Sequence, residues 1–271
     1  MTILITGAAG IVGRALRREL VAQYGRVRLL DVQPITDLDP GEEAVVASVT
    51  DRMALLEAMR GVDGVVHLAA CSTADADIEQ QISGNVVGSF NVYEAARQSG
   101  VERVVYASSH HVVGNYPRRS RVGSDALLRP DSRYGLTKCF GEQAGALYAD
   151  KYGLRVLCIR IGNASDKPID RRRLAIWVSW RDLAQLVDIG LTHPSLRYAV
   201  VYGVSDNERS FFDNSVAHKL GYRPVDRAED HAGEVLAGLP PEDMNEVGSH
   251  VIGGTFANSE FVAPIERIHE W

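Results

Sequence analysis

Short apolar runs and longer amphipathic stretches alternate along most of the chain. Ile3-Leu-Ile5, Val27-Arg-Leu-Leu30, Ala44-Val-Val-Ala47, Gly64-Val-Val-His-Leu68, Arg103-Val-Val-Tyr-Ala107, Arg155-Val-Leu-Cys-Ile-Arg160 and Tyr198-Ala-Val-Val-Tyr202 are compact and nearly uninterrupted. Runs of that kind read as strands buried on both faces, as parallel strands are. Between them, residues 14–21, 51–59, a long stretch through Asn85 to Gln98, 133–151 and 180–187 carry helical spacing. Strand and helix in alternation predict an α/β fold built on a doubly wound parallel sheet. The stretch 112–131 breaks the pattern with Gly114, Pro117 and Pro130 and is expected to be a loop, its Arg118, Arg119 and Arg121 forming a solvated face. Beyond Asn163 the alternation becomes less regular. The expectation is a single domain over 1–271, with residues from about 163 onward contributing a small C-terminal lobe.

Composition narrows the classes. The chain has 271 residues, 45% hydrophobic and 24% charged, which supports a sizeable core. A net charge of -6 argues against a general nucleic-acid or anionic-membrane surface, so neither partner is expected. No apolar run reaches the length of a bilayer span, and Met1-Thr-Ile-Leu-Ile5 is not a signal-type segment, so a cytoplasmic protein is expected. Three widely spaced cysteines, Cys71, Cys139 and Cys158, fit reduced thiols, and the eight histidines show no metal-ligand spacing, so no metal is assigned. His67, inside a strand, reads as a satisfied core histidine.

The first strand runs directly into Thr6-Gly-Ala-Ala-Gly-Ile-Val-Gly13 and then a helix. Free N–H groups and the helix dipole at such a junction favour a pyrophosphate. Gly7 makes the turn, Gly10 lets the backbone approach phosphates, and Gly13 allows close packing of helix on strand. Ala9, Ile11 and Val12 complete the cradle. Asp31, at the end of the second strand, is placed to accept from ribose hydroxyls and to repel a 2′-phosphate, which favours NAD over NADP. Ser48 and Val49 would lie by the adenine, and Leu68, Ala69 and Ala70 leave room for the cofactor's backbone. A Rossmann-type fold with NAD is therefore expected.

Two further stretches carry chemistry. Ala107-Ser-Ser-His-His111 ends a strand at the sheet edge where ligands bind, and Tyr134-Gly-Leu-Thr-Lys138 opens a helix. A lysine four residues after a tyrosine faces the same side of a helix, so its ammonium can lower the phenol's pKa. With a hydroxyl beside it, such a phenol can take a proton from an alcohol while hydride leaves.

Glycine turn, Asp31 and the Tyr-x-x-x-Lys pair, in this order, resemble the extended short-chain dehydrogenase/reductase superfamily over nearly the whole chain. Within it the chain looks most like the NAD-dependent uronate dehydrogenases, through Asn91-Val-Tyr-Glu-Ala-Ala-Arg97, Ala107-Ser-Ser-His-His111 with Gly114, Tyr134 to Glu142, Arg160-Ile-Gly162, Trp177-Val-Ser179 and Gly253-Gly-Thr-Phe256. That family oxidises the anomeric carbon of D-glucuronate or D-galacturonate to an aldarolactone.

The resemblance implies Tyr134 as general base, Lys138 as its partner and Ser109 as the hydroxyl that holds the reacting oxygen. It makes Arg172 the grip on the uronate carboxylate, a task that suits a guanidinium's parallel donors. Asn85 and Ile161 join the cofactor contacts. Ser72 (or Thr73), Ser109, His110, His111, Tyr134 and Asn163 join the substrate contacts, in a small substrate-binding lobe, and a homo-oligomer is expected by analogy.

His110 stands where the family has asparagine, and Asn163 where it has serine. Arg160-Ile-Gly-Asn163 and Tyr202-Gly-Val-Ser-Asp-Asn-Glu-Arg209 also resemble archaeal NAD-dependent glucose-6-phosphate dehydrogenases, so another aldose 1-dehydrogenase is the alternative. A nucleotide-sugar epimerase or dehydratase is disfavoured by the short C-terminal part, and a chemically silent sensor by the presence of both Tyr134 and Lys138.

Overall fold

The computed structural model describes residues 1–73 and 76–270; Ala74 and Asp75, at the end of the loop expected after Ala70, lie outside the described residues. The elements run β1 (Thr2–Thr6), α1 (Ile11–Tyr24), β2 (Arg26–Asp31), β3 (Glu42–Val46), α2 (Arg52–Ala58), β4 (Gly64–His67), α3 (Ile78–Gln81) and α4 (Gly88–Gln98). They continue through β5 (Arg103–Ser109), α5 (Arg133–Tyr152), β6 (Arg155–Ile161), β7 (Asn163–Ala164), α6 (Arg173–Ile176), β8 (Trp177–Val178), α7 (Trp180–Thr192) and β9 (Tyr198–Gly203). Shorter helical turns carry the remainder.

Among the described residues, seven strands form one sheet in the order β3-β2-β1-β4-β5-β6-β9, and every pairing in it is parallel. This is the doubly wound Rossmann arrangement. Alternate side chains of each strand serve opposite layers, because a strand's period is two. Ile3 and Ile5 pack with Leu16 and Leu20 of α1 and Leu183, Leu186 and Leu191 of α7. Leu4, between them, packs with Leu55 of α2, Val92 and Tyr93 of α4 and Ala144 and Tyr148 of α5. Each fully buried aliphatic side chain contributes about 1.5–3 kcal/mol, so neither layer is dispensable.

The order reverses between β1 and β4, and ligands of open α/β sheets bind outside the strand ends at such a reversal. The carboxyl ends of these strands touch there, with the Leu68 amide donating to the Thr6 carbonyl over 3.0 Å.

Three expectations are modified. The helix expected through Asn85 to Gln98 is interrupted by a π turn at Ile82–Val87, which turns Asn85 inward. Residues after 163 do not form one lobe, since α7 covers the sheet and β9 extends it. Residues 204–214 and the C-terminal segment pack on the 112–131 loop through Phe212, Ile252 and the Pro117–Val251 bridge, while the short β7–β8 pair packs with the α7 layer and with Ala228. Finally, Arg119 and Arg121 are exposed as expected, but Arg118 is not a free surface residue. Its guanidinium donates to the carbonyls of Val251 and Gly248 and pairs with Glu242 at 2.7 Å, which ties the loop to the C-terminal segment. A guanidinium with fixed acceptors on a second segment gains more from staying than from solvation.

Candidate active site

The glycine turn sits at the β1–β4 reversal. Gly7 has φ +73, and a Cβ on it would lie 2.6 Å from the Ala69 nitrogen, so only glycine lets the turn close on the end of β4. Gly10 caps α1 with no side chain, which leaves the first N–H groups of α1 uncovered by any capping oxygen. Asp31 accepts from the Ala9 amide at 2.9 Å and from the Gln33 amide at 2.9 Å. The carboxylate is thereby aimed at the cradle, and it remains partly exposed with Val32 open beside it. Ile11 projects freely at the helix start, Val12 packs against the core, and Leu68, Ala69 and Ala70 line the strand end half-buried. These residues fit a dinucleotide: N–H donors for the phosphates, a carboxylate for the ribose and small groups along the floor.

The other cofactor-side residues divide. Ser48 bonds to Thr50 through its hydroxyl, while the Val49 side chain is buried in the layer under α2 and α4. Asn85 is buried, and its amide accepts from the Cys71 amide and donates to the Cys71 carbonyl and the Thr137 hydroxyl, at 2.7 to 2.9 Å. Both of its N–H groups are spent on protein. Asn85 thus holds the 71–73 segment against α5, and a π turn is a common means of placing such a residue. Ile161 lies half-buried at the end of β6.

The reacting group assembles at the ends of β5 and α5. Ser132 caps α5 by accepting from the Gly135 amide, which starts the helix with Tyr134 in its first turn and Lys138 one turn later. Ser109 ends β5, and its hydroxyl accepts from the His111 amide at 3.2 Å. Burial pushes the Tyr134 phenol up to about 12, and the Ser109 hydroxyl opposes that rise. Lys138 is buried, donates to the Ala107 carbonyl at 2.7 Å and is pushed down to about 7 by burial. Its nitrogen stands 5.7 Å from the centre of the Tyr134 ring.

His67, as expected, is a satisfied core residue, bonded to Thr6 and Ser89 and pushed down to about 3 by burial and by Lys138. Among the described residues no cluster of His, Cys, Asp or Glu has metal-binding geometry.

On the far side of Tyr134, residues distant in sequence converge. His111 bonds to the buried Asp131 carboxylate at 2.7 Å and stacks on Phe256 at 4.1 Å, while both rings meet Tyr134 edge-on at about 6 Å. Gly253 packs where any Cβ would collide with the Asp131 carboxylate. His110 lies 4.1 Å from His111, ring to ring, and reaches Arg172 through its Nε2 at 3.3 Å. The Arg172 Nη1 also donates to the Ile252 carbonyl at 3.0 Å. No carboxylate forms an ion pair with Arg172 among the described residues, and burial, aided by Arg173, pushes it down to about 10. Arg173 is neutralised by Asp170.

Ser72 and Thr73 are both exposed on the 71–73 segment, and Asn163 accepts from Ser165. Asp131 and Phe256 were missed as site residues. The Gly253-Gly-Thr-Phe256 stretch was the available signal for the second, whereas nothing local marks Asp131 apart from the helix cap that follows it.

The chain matches the model of the NAD dependent epimerase/dehydratase family over residues 3–168. It is 39% identical to a uronate dehydrogenase from Pseudomonas putida over 94% of this chain and 95% of that protein. A crystal structure of a tyrosine-to-alanine mutant of uronate dehydrogenase from Agrobacterium tumefaciens, complexed with NAD, superposes with a TM-score of 0.91 at 38% identity, covering 97% of this chain and 98% of the other. A more distant relative, at 34% identity over 86% of this chain and 96% of its own length, is an NAD-dependent glucose-6-phosphate dehydrogenase from Haloferax volcanii.

Proposed function

From the premise that the chain belongs to the NAD dependent epimerase/dehydratase family, we propose that it is an NAD-dependent uronate dehydrogenase oxidising C1 of D-glucuronate or D-galacturonate to the aldarolactone. The observation that carries this reading is Arg172. Among the described residues this partly buried guanidinium has no carboxylate partner, and it stands next to the residues that pack on Tyr134, so it brings an unneutralised cation to the proposed substrate side. Its parallel donors match a planar carboxylate. A phosphate, with greater charge, would call on more than one cation, and neighbouring Arg173 is already neutralised by Asp170. The uronate reading is therefore preferred over glucose 6-phosphate.

Gly7, Ala9, Gly10, Ile11, Val12 and Gly13 would hold the cofactor phosphates and Asp31 the ribose, and the bound nicotinamide supplies the hydride acceptor. Ser109 holds the C1 hydroxyl oxygen beside the phenol. Tyr134 takes the hydroxyl proton, a transfer typically worth 10²–10⁴ in rate. Lys138 fixes the floor of the site through Ala107 and supplies positive charge whenever it is protonated. Arg172 pins the substrate carboxylate. His111, held by Asp131, faces the sugar hydroxyls together with Ser72 and Asn163.

The same reading takes residues 1–271 as one domain in a cytoplasmic homo-oligomer. Among the described residues no helix is long and apolar enough to cross a membrane, and Cys71, Cys139 and Cys158 are free thiols. Exposed Val87 and Phe90 near and on α4, with Leu136, Phe140 and Leu147 on α5, offer apolar surface for a second copy of the chain.

Initial rates with NAD and glucuronate, galacturonate or glucose 6-phosphate test the assignment. Turnover of a uronate with little of the phosphate is expected, and no turnover of either uronate would overturn it.

A further inference from the structure

His110 is buried to 3% exposure, and both of its ring nitrogens are already engaged with protein. Its Nδ1 lies 3.1 Å from the Ile161 carbonyl. A carbonyl only accepts, so Nδ1 must carry the hydrogen. Its Nε2 lies 3.3 Å from the Arg172 Nη1, a group that only donates. Nε2 must therefore be the bare, accepting nitrogen. The two contacts are compatible with one species alone, the neutral Nδ1–H tautomer. Burial, then the neighbouring His111 and Arg172, disfavour the protonated ring.

We propose that His110 is a positioning residue for Arg172: it transmits the fixed end of β6 to the guanidinium and sets the direction in which the substrate carboxylate is gripped. The relay runs from the Ile161 carbonyl through the ring to Nη1, which the Ile252 carbonyl holds from the other side. Two acceptors on one nitrogen, the His110 ring from the turn after β5 and the Ile252 carbonyl from the C-terminal segment, hold that corner of the guanidinium. Gly254 lies against it, since a Cβ there would come within 2.3 Å of the Arg172 Nε. The remaining guanidinium nitrogens are the ones left for a ligand carboxylate.

Side-chain length makes the role specific. An asparagine at 110 reaches roughly as far as Nδ1 and would satisfy Ile161 while leaving Arg172 without its acceptor. A glutamine reaches roughly as far as Nε2 and restores an acceptor for the guanidinium. The chain's departure from the family at this position thus exchanges a residue that can face the sugar for one that orients the arginine, and His110 itself does not contact substrate.

This inference rests on the uronate reading, and the experiment separates the two. Kinetics of wild type, His110→Asn and His110→Gln are measured with a hexuronate and with its neutral uronamide, which keeps the shape but not the charge. In His110→Asn the ratio of kcat/KM for acid over amide is expected to fall about tenfold, through KM, as for loss of a hydrogen bond to a charged group. His110→Gln should recover most of that ratio. A purely structural role would lower both substrates together and leave the ratio unchanged; that result, or an unaffected His110→Asn enzyme with unchanged melting, overturns the proposal. If wild type turns over neither uronate, the functional reading fails on its own, and the ¹⁵N resonances of His110 then decide. A protonated Nδ1, with an Nε2 signal that moves in Arg172→Met, supports the relay, whereas a protonated Nε2 refutes it.

Discussion

The proposed cofactor and substrate sides of the site are built by different means. On the cofactor side, Gly7 to Gly13 and Asp31 come from β1, α1 and β2, elements that adjoin in sequence, and the cradle is made largely of backbone. On the substrate side, His110, His111, Asp131, Arg172 and Phe256 come from segments far apart in the chain, and side-chain contacts join them: a histidine–carboxylate bond, ring stacks and an arginine between two acceptors. Backbone geometry tolerates change at neighbouring side chains. A cluster made of buried polar side chains does not, because each member leaves its partner unsatisfied when removed. The cofactor side should therefore behave as a fixed platform, and the substrate side as the part where single substitutions redirect the enzyme.

Removing the proposed proton acceptor between the two sides should give the largest effect. Tyr134→Phe is expected to lower kcat by about 10²–10⁴ while NAD still binds, measured by steady-state rates and cofactor titration. An equally active variant would remove Tyr134 as the base. Next, Arg172→Ala should raise KM for a uronate by roughly ten- to a hundredfold, the scale of a lost charge-assisted pair, with NAD affinity unchanged. A matching loss of NAD affinity would show that the two sides are not independent.

The pH dependence of stability probes the boundary between them. Lys138 is pushed down from 10.5 to about 7 by burial. Between those values the unfolded chain holds more protons than the folded one, so this residue's burial costs stability at neutral pH and the cost disappears as pH rises toward 10.5. Lys138→Met should therefore melt higher than wild type at pH 7, with the difference vanishing near the upper value, although turnover is lost. A gain independent of pH would mean that burial of the charge is not the cause.

The smallest effect is expected at Arg118, which anchors the C-terminal segment from outside the site. Arg118→Ala should lower stability by about 1–3 kcal/mol and raise KM for the sugar modestly without changing kcat, since it loosens the segment carrying Ile252 and Phe256. Unchanged sugar KM with lowered melting would confine its role to the fold.

The legibility of the molecule follows the same division. The strand runs, the glycine cradle and the Tyr134–Lys138 pair could be read because each rests on local spacing: short apolar runs, a turn at a strand end, four residues along a helix; Ser109 was singled out by the resemblance. Arg118 looked like surface because its acceptors lie more than a hundred residues away. Asp131 sits before an ordinary helix cap, and its neighbour His111 gives no hint that the two will meet. His110 and Asn85 could be placed in the cleft, but the contacts that occupy them could not.

The sequence by itself determined the α/β alternation, the parallel doubly wound sheet and the glycine turn at the first strand-helix junction, since short-range sterics and periodicity dictate them, while the resemblance put Tyr134 forward as the candidate base. The tertiary structure alone decided that Arg172 meets no carboxylate among the described residues, which nitrogen of His110 carries the hydrogen, and that His111 meets Asp131. Those outcomes depend on burial and on distances of a few ångströms between segments remote in the chain, and no local pattern encodes them.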